Sequence, residues 1–419
     1  MPIFFIPVLL LAGHASAQQS TAPSGEKYTL TELAGLAIQN TQILGSQDAR
    51  IEEKKLSAAQ AGIWPGLSVD FSAGRKREAR LSGPRYELAF AQALPLLGKP
   101  GLRGGLLDLE SESWRVRRVA TQIDVTLAVV QLAYEYAATR RNAGFVEKRQ
   151  RRFDLIKTYL AGRAFPTPQR KAESRIVQNR LKGLASDAIQ SQAGFRASFE
   201  KLKVYVPLES GSYPDIEVPW FSGAKILDEK EWTAKALENN PDLRVQRLVV
   251  KGAELEKSLA SRDGLPDPSF VASYEEGRAA ETETSYGLGL SLALPPWNRN
   301  RAGIRSAAQK KLAEERRLGF EERKLGAELS RLLVEYEAAR RIVRQYPQNL
   351  LAELEAQLQE AEEGFRKGQV DLLTFLELES SASETFGRVL DAQRDLAARV
   401  AELMAAAGEQ DAPARLGSL

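Results

Sequence analysis

Residues 285–294 read SYGLGLSLAL, in which Tyr286, Leu288, Leu290, Leu292 and Leu294 alternate with Ser285, Gly287, Gly289, Ser291 and Ala293. Alternation with period two makes a strand with two unlike faces. Here one face is large and apolar, and the other is almost bare. Three further stretches behave similarly: Leu67, Val69 and Phe71 share a face in LSVDFSAG, Tyr86, Leu88 and Phe90 in YELAFAQAL, and Phe270, Ala272 and Tyr274 in SFVASYEEG. These predict strands over about 67–75, 86–94, 269–277 and 285–294, with polar turns at 75–85 and 278–284. Two hairpins that lie far apart in sequence are marginal in water. A bare strand face suits the inside of a barrel whose outside meets lipid.

The chain also repeats itself at an offset of about 200 residues. Ala93-Leu94-Pro95 corresponds to Ala293-Leu294-Pro295, Trp64-Pro65 to Leu265-Pro266, and Tyr159-Leu-Ala-Gly162 to Phe365-Arg-Lys-Gly368. Each copy reads as helix, helix, strand, strand, long helix, long helix. The copies are assigned to 18–205 and 227–408, joined by a Pro/Gly/Ser-rich connector over 206–226, with a tail over 409–419. Residues 1–17, MPIFFIPVLLLAGHASA, form a short apolar core ending in small-x-small Ala15-Ser16-Ala17. That is the form of a secretory signal peptide.

The long segments show sustained three-four spacing. Val116, Val119, Ile123, Leu127, Val130, Tyr134 and Ala137 form one ladder. Leu325, Leu329, Leu332, Tyr336, Ala339 and Val343 form another, which resumes after Pro347 at Leu351, Leu354, Leu358, Ala361 and Phe365. This is a coiled-coil seam, with Glu, Arg and Lys on the remaining faces.

Composition removes several chemistries. There is no cysteine and one histidine, His14, which lies within the proposed signal. Zinc sites of the usual His/Cys kind and imidazole-assisted nucleophiles are therefore excluded from the processed chain, and neither a cofactor nor a catalytic residue is expected. The 58 basic and 55 acidic residues nearly balance, which leaves no footprint for nucleic acid.

After the signal, no apolar run of about 20 residues exists to span a bilayer as a helix. A membrane role would then require strands in a closed barrel. Four strands cannot close one, because single-chain barrels begin at about eight. Several copies must pool their hairpins, and three copies would supply twelve strands. A soluble coiled-coil scaffold is the competing reading, and a carboxylate-pair hydrolase a remote one.

At this level the residues match a known pattern. The doubled plan, the junction LPPWNRNRAGIRSA (294–307) and the segment GFRKGQVDLLTFLELES (364–380) resemble the TolC-type outer-membrane efflux channels from about Tyr28 to Gly408. LPPWNRNRAG is similar to the stretch common in the branch that exports heavy-metal cations. The resemblance implies a mainly α fold with a small β part. It implies a homotrimer with a periplasmic α-barrel and a twelve-stranded β-barrel in the outer membrane of a Gram-negative bacterium. Such a trimer would be the passive exit duct of a tripartite system, with a periplasmic membrane-fusion adaptor and an inner-membrane resistance-nodulation-division pump. Metal cations are its expected cargo, with drug efflux or type I protein secretion as alternatives.

The resemblance also assigns residues. Adaptor-docking tips fall at Gly162, Arg163, Ala164 and Phe165, in the segment 162–168, and at Gly368, Gln369, Val370, Asp371 and Leu372, in the segment 368–374. Two gate-closing aspartate positions of the family fall at Thr374 and Glu377, with Asp371 the nearest acid. Each of these acids is equally readable as an exposed helix charge. Leu67, Val69, Phe71, Leu88, Phe90, Phe270, Tyr274, Leu288, Leu290 and Leu292 are expected to face lipid. The basic loop RKREAR (75–80) and the acidic EEGRAAETE (275–283) are placed to pair across the pore mouth. Arg75, Lys76 and Arg77 are readable either as partners for lipopolysaccharide phosphates or as an ordinary solvated loop.

Overall fold

The computed structural model describes residues 27–78, 81–95, 97–161, 167–221, 229–278, 281–292 and 300–409. The proposed signal peptide and nearly all of the C-terminal tail lie outside that set. In the first repeat, a short β1 (Lys27–Thr29) leads into α1 (Leu30–Asn40) and α2 (Gln42–Gly62). β2 (Ser68–Glu78) and β3 (Leu81–Ala93) follow, then α3 (Lys99–Ala161) and α4 (Pro168–Leu202). The second repeat runs α5 (Glu229–Asn239), α6 (Pro241–Asp263), β5 (Pro268–Arg278), β6 (Thr282–Leu292), α7 (Arg301–Val343), α8 (Leu350–Arg366) and α9 (Leu372–Ala406), after a short β4 (Asp215–Glu217) in the connector.

Local chemistry sets several boundaries. Thr29 and Glu32 form a reciprocal cap at α1: the Thr29 amide donates to the Glu32 carboxylate at 2.8 Å, and the Glu32 amide donates to Thr29 Oγ1 at 3.3 Å. Asn240 caps α6, and Pro241 opens it. α3 is unbroken for 63 residues, roughly 95 Å at 1.5 Å per residue. Its counterpart in the second repeat is interrupted between α7 and α8, at Pro347, which cannot supply the amide of a continuing helix.

The helices form a layer one helix thick. α3 packs against α2, α4, α6 and α9, and α7 packs against α6 and α9. The order across the layer is therefore α2 or α4, then α3, then α6 or α9, then α7 or α8. The three-four ladders lie between neighbours: Ile123, Val130 and Tyr134 on α3, and Leu329, Leu332, Tyr336, Ala339 and Val343 on α7, are buried. The two lateral flanks keep large apolar side chains exposed, Ile43, Leu56, Ile176 and Ile189 on one and Leu312, Phe320, Val334 and Ile342 on the other. The connector is packed on this layer. β4 pairs in parallel with β1, the Tyr134 and Tyr136 hydroxyls donate to the carbonyls of Pro219 and Pro214, and Gln393 exchanges two hydrogen bonds with the Phe221 backbone. Trp232, just beyond it, is fully buried.

The strands depart from expectation in two ways. The hairpins are not separate: β3 pairs antiparallel with β5, giving one four-stranded sheet in the order β2-β3-β5-β6. β2 also continues through Arg75, Lys76 and Arg77 to Glu78, and β3 begins at Leu81, so the polar segments expected to be turns are mostly strand. Polarity there marks the end of the apolar face, while the hydrogen-bonded ladder runs on past it.

Candidate functional site

Two regions carry the functional reading: the sheet and the reversal between α8 and α9. In the sheet, register decides which side chains share a face. Val69 lies opposite Phe90, Phe71 opposite Leu88, Leu88 opposite Tyr274, Phe270 opposite Leu290 and Ala272 opposite Leu288. Leu292 lies opposite Pro268, and Leu67 continues the same parity just before β2. All ten residues expected to face lipid therefore share one face. Tyr274 and Tyr286 lie opposite each other on it, with their rings 5.3 Å apart, and Tyr86 lies one outward step above them, opposite Glu276. Leu288 and Leu290 are 80% and 75% exposed in the single chain, so this large apolar surface is uncovered.

On the opposite face, two of the small residues are set by close neighbours. A Cβ added to Gly287 would lie 2.5 Å from Ser273 Oγ on the neighbouring strand, and one added to Gly277 would lie 3.1 Å from Lys76 Cδ. Space is short at those two positions, whereas a Cβ on Gly74 or Gly289 of the same face would meet nothing within 4 Å. Lys76 reaches past Gly277 to pair with Glu283, and Arg85 Nε pairs with Glu275 at 2.6 Å. The basic and acidic stretches thus pair within one chain. The expected pairing across the mouth is replaced because the two hairpins are hydrogen-bonded neighbours. The outer backbone edges of β2 and β6 have no partner strand among the described residues.

Sheet and helices are coupled at a compact joint. Lys99, buried at the start of α3, donates to the Leu265 carbonyl at 2.7 Å and to Asp267 at 3.1 Å. Arg262 donates to the Leu97 carbonyl at 2.7 Å, next to Gly98 with its φ of +66°. Asn300 opens α7 at a φ of +57°, and its side-chain amide donates to the Ala260 carbonyl at 2.9 Å. Asparagine tolerates this left-handed conformation better than most residues. The remainder of the Pro-Pro-Trp junction, 293–299, lies outside the described residues.

The α8–α9 reversal is a Schellman turn. Gly368 sits at φ +74°, its amide donates to the Phe365 carbonyl at 3.0 Å, and the Gln369 amide donates to the Gly364 carbonyl at 2.9 Å. A Cβ on Gly364 would meet Val370 at 2.9 Å, so both glycines are required by geometry. Asp371 caps α9 by accepting from the Thr374 amide at 2.7 Å, a bond that holds its carboxyl below the usual range. Two of the three candidate gate residues are thus joined in a helix cap, while Glu377 lies exposed one turn on. Leu372 is buried, in a cluster with Phe153, Ile156, Phe365 and Phe375. The other tip residues, Gly162, Arg163, Ala164 and Phe165, lie outside the described residues.

One constellation escaped sequence reasoning. Glu379, fully buried on α9, pairs with the buried Arg149 of α3, and Arg180 of α4 approaches its second oxygen at 3.6 Å. Arg152 is buried beside them, and desolvation lowers its guanidinium pKa. Glu379 is one of many acids on helical repeats, and period alone does not mark which acid turns inward. Among the described residues no group of His, Asp and Glu is placed to hold a metal, and no helix is long and apolar enough to cross a membrane.

Residues 232–409 match the model of the outer membrane efflux protein family. The fold is similar to that of CusC, a structure described as forming a transmembrane channel, with a TM-score of 0.72 and 14% identity over 92% of this chain and 93% of that one. It is similar to a membrane protein from Pseudomonas aeruginosa, with a TM-score of 0.71 and 16% identity over 91% and 90%. It is also similar to the Campylobacter jejuni CmeC outer membrane channel, with a TM-score of 0.67 and 14% identity over 98% and 95%. No curated protein matches the sequence. The family match thus lies on the second repeat, while the fold shared with these solved outer-membrane channels runs through both repeats.

Proposed function

We propose that three copies of the chain join edge to edge and form the outer-membrane exit duct of a tripartite efflux system, with metal cations as cargo. One observation carries the assembly: a four-stranded sheet with two unpaired edges and one large apolar face sits on a helical layer whose own flanks are apolar and uncovered. Unpaired backbone groups are not tolerated in hydrocarbon, so β2 of one copy pairs with β6 of the next. Three sheets make a twelve-stranded barrel with the leucines toward lipid. Strands of 11 residues, tilted by about 45°, rise roughly 26 Å, close to the ~25 Å apolar band of such barrels. Residues 1–17 direct export, and the helices continue the wall into the periplasm.

The cargo assignment rests on the likeness of LPPWNRNRAG to the metal-exporting branch. Charge on the sheet face opposite the leucines agrees with it: Asp70, Glu87, Glu275 and Glu283 stand against Lys76 and Arg85. Rings of excess acid favour cations. The tips 162–168 and 368–374 receive the adaptor that links the duct to a resistance-nodulation-division pump. Asp371, Thr374 and Glu377 line the constriction at that end.

Detergent extraction followed by mass measurement tests the assembly. A trimer is expected, and a stable detergent-free monomer refutes it. Deletion and complementation test the cargo: sensitivity to divalent metals, restored by the gene, is expected. Sensitivity confined to drugs, or a lost secreted protein, would select the other cargoes.

A further inference from the structure

Strand parity sorts charge as well as size. Beyond Tyr274 and Tyr286, the face opposite the leucines carries Lys76, Arg85, Glu275 and Glu283, all engaged in ion pairs. The apolar face continues upward into Arg75 and Arg77 on β2 and into Glu276 and Arg278 on β5. Glu276 accepts a hydrogen bond from the Tyr274 hydroxyl at 3.1 Å, and Arg278 donates to Thr282 Oγ1 at 3.1 Å. Arg75 and Arg77 are exposed and make no ion pair or hydrogen bond with another side chain among the described residues. Opposite them on β3 stand Pro84 and Ser82, neither of them anionic.

We propose that Arg75 and Arg77 form a binding site for the phosphate groups of an outer-leaflet glycolipid bearing phosphomonoesters. The inference rests on the reading above that this face meets lipid. Two outward residues on one strand stand about 7 Å apart, so the pair presents two guanidinium forks on successive outward steps of one strand. The lower of them, Arg75, is one outward step above Ala73 and two above Phe71. It lies just past Tyr86, where aromatic rings mark the boundary between acyl chains and headgroups. Arginine binds phosphate through paired N–H donors. A phosphomonoester carries about −1.5 to −2 charge near neutral pH, more than a phosphodiester headgroup. β2 is an edge strand. In the trimer the next copy's β6 brings Thr282 and Thr284 on the same face, which adds hydroxyls and no acid beside the arginines.

The test uses the full-length membrane-extracted protein, incubated with a diphosphorylated lipid A, the same lipid dephosphorylated, or phosphatidylglycerol, with bound lipid read by native mass spectrometry. The diphosphorylated form is expected to be retained about tenfold over the dephosphorylated one, the equivalent of about 1.4 kcal/mol. Arg75→Gln with Arg77→Gln should bring that ratio to within about twofold, whereas Lys76→Gln, on the other face, should leave it in place. Equal retention by the double variant, or equal binding of the dephosphorylated lipid, overturns the site. Phosphatidylglycerol binding as well as lipid A overturns the phosphomonoester assignment. Insertion of the unaltered protein into phospholipid vesicles is scored in parallel. Failure to insert sinks the lipid-face reading itself, while insertion without phosphate preference sinks this proposal alone.

Discussion

Leu290→Arg measures directly whether the leucine face of the sheet meets hydrocarbon. On β6 the outward residues from Tyr286 to Leu292 define the apolar span, and its middle falls between Leu288 and Leu290. Each outward step rises about 5 Å along the barrel axis when a strand at ~3.4 Å per residue is tilted by about 45°. Leu290 therefore lies within about 3 Å of the midplane. An arginine there is expected to cost about 2–4 kcal/mol. At 1.4 kcal/mol per factor of ten, this lowers the folding equilibrium in vesicles by roughly 30- to 700-fold. Ser291→Arg, one residue on, points to the opposite face and is expected to cost less than about 1 kcal/mol. The assay is reversible urea unfolding in phospholipid vesicles, followed by Trp fluorescence, with both variants compared to the unaltered chain. Equal losses for the two would show that neither face is lipid-exposed. A larger loss for Ser291→Arg would reverse the facing.

Gly368→Trp should abolish export in a complementation assay while the trimer remains in the membrane, because the tip glycine holds a left-handed turn at the proposed docking end; normal export would remove the tip assignment. Glu379→Ala should destabilise the helical layer by about 3–5 kcal/mol, since Arg149 and Arg152 are left buried without their carboxylate, whereas Arg149→Ala should cost less, because Arg180 still approaches Glu379 at 3.6 Å. The double replacement Arg149→Met with Glu379→Leu should recover most of that loss, and an additive double-mutant cycle would refute the coupling. The Asp371 carboxyl is held below its ordinary value by the Thr374 amide, so its cap is fully present above the unfolded-state value and is lost as pH falls through the lower folded value. Amide exchange at Thr374 should accelerate across that acid window in the native chain, and the step should be absent in Asp371→Asn.

Much of the fold was legible because its signals are local. Period two at residues 286–292 and three-four spacing at 325–343 follow from backbone geometry alone, and both appear as a strand and a helix at those places. The face shared by Val69, Leu88, Phe270 and Leu290 was legible for the same reason, since parity survives any register that keeps like faces together. The Gly368 turn was legible because few residues accept a positive φ at a helix end.

What stayed hidden involved the meeting of distant segments. That β3 lies against β5 depends on hydrogen bonds between strands about 180 residues apart, and it redirects Lys76 to Glu283 and Arg85 to Glu275. The same pairing leaves Arg75 and Arg77 alone on the outer face. That Glu379 turns inward toward Arg149 depends on the rotation of α9 against α3, and Glu377 two residues earlier shares its chemistry but stays in solvent. Composition and spacing therefore determined that the chain has two unlike strand faces, long paired helices, no cysteine and no histidine beyond His14. Only the tertiary structure decided which charges find partners, because electrostatic pairing acts over a few ångströms in space and carries no periodic trace along the chain.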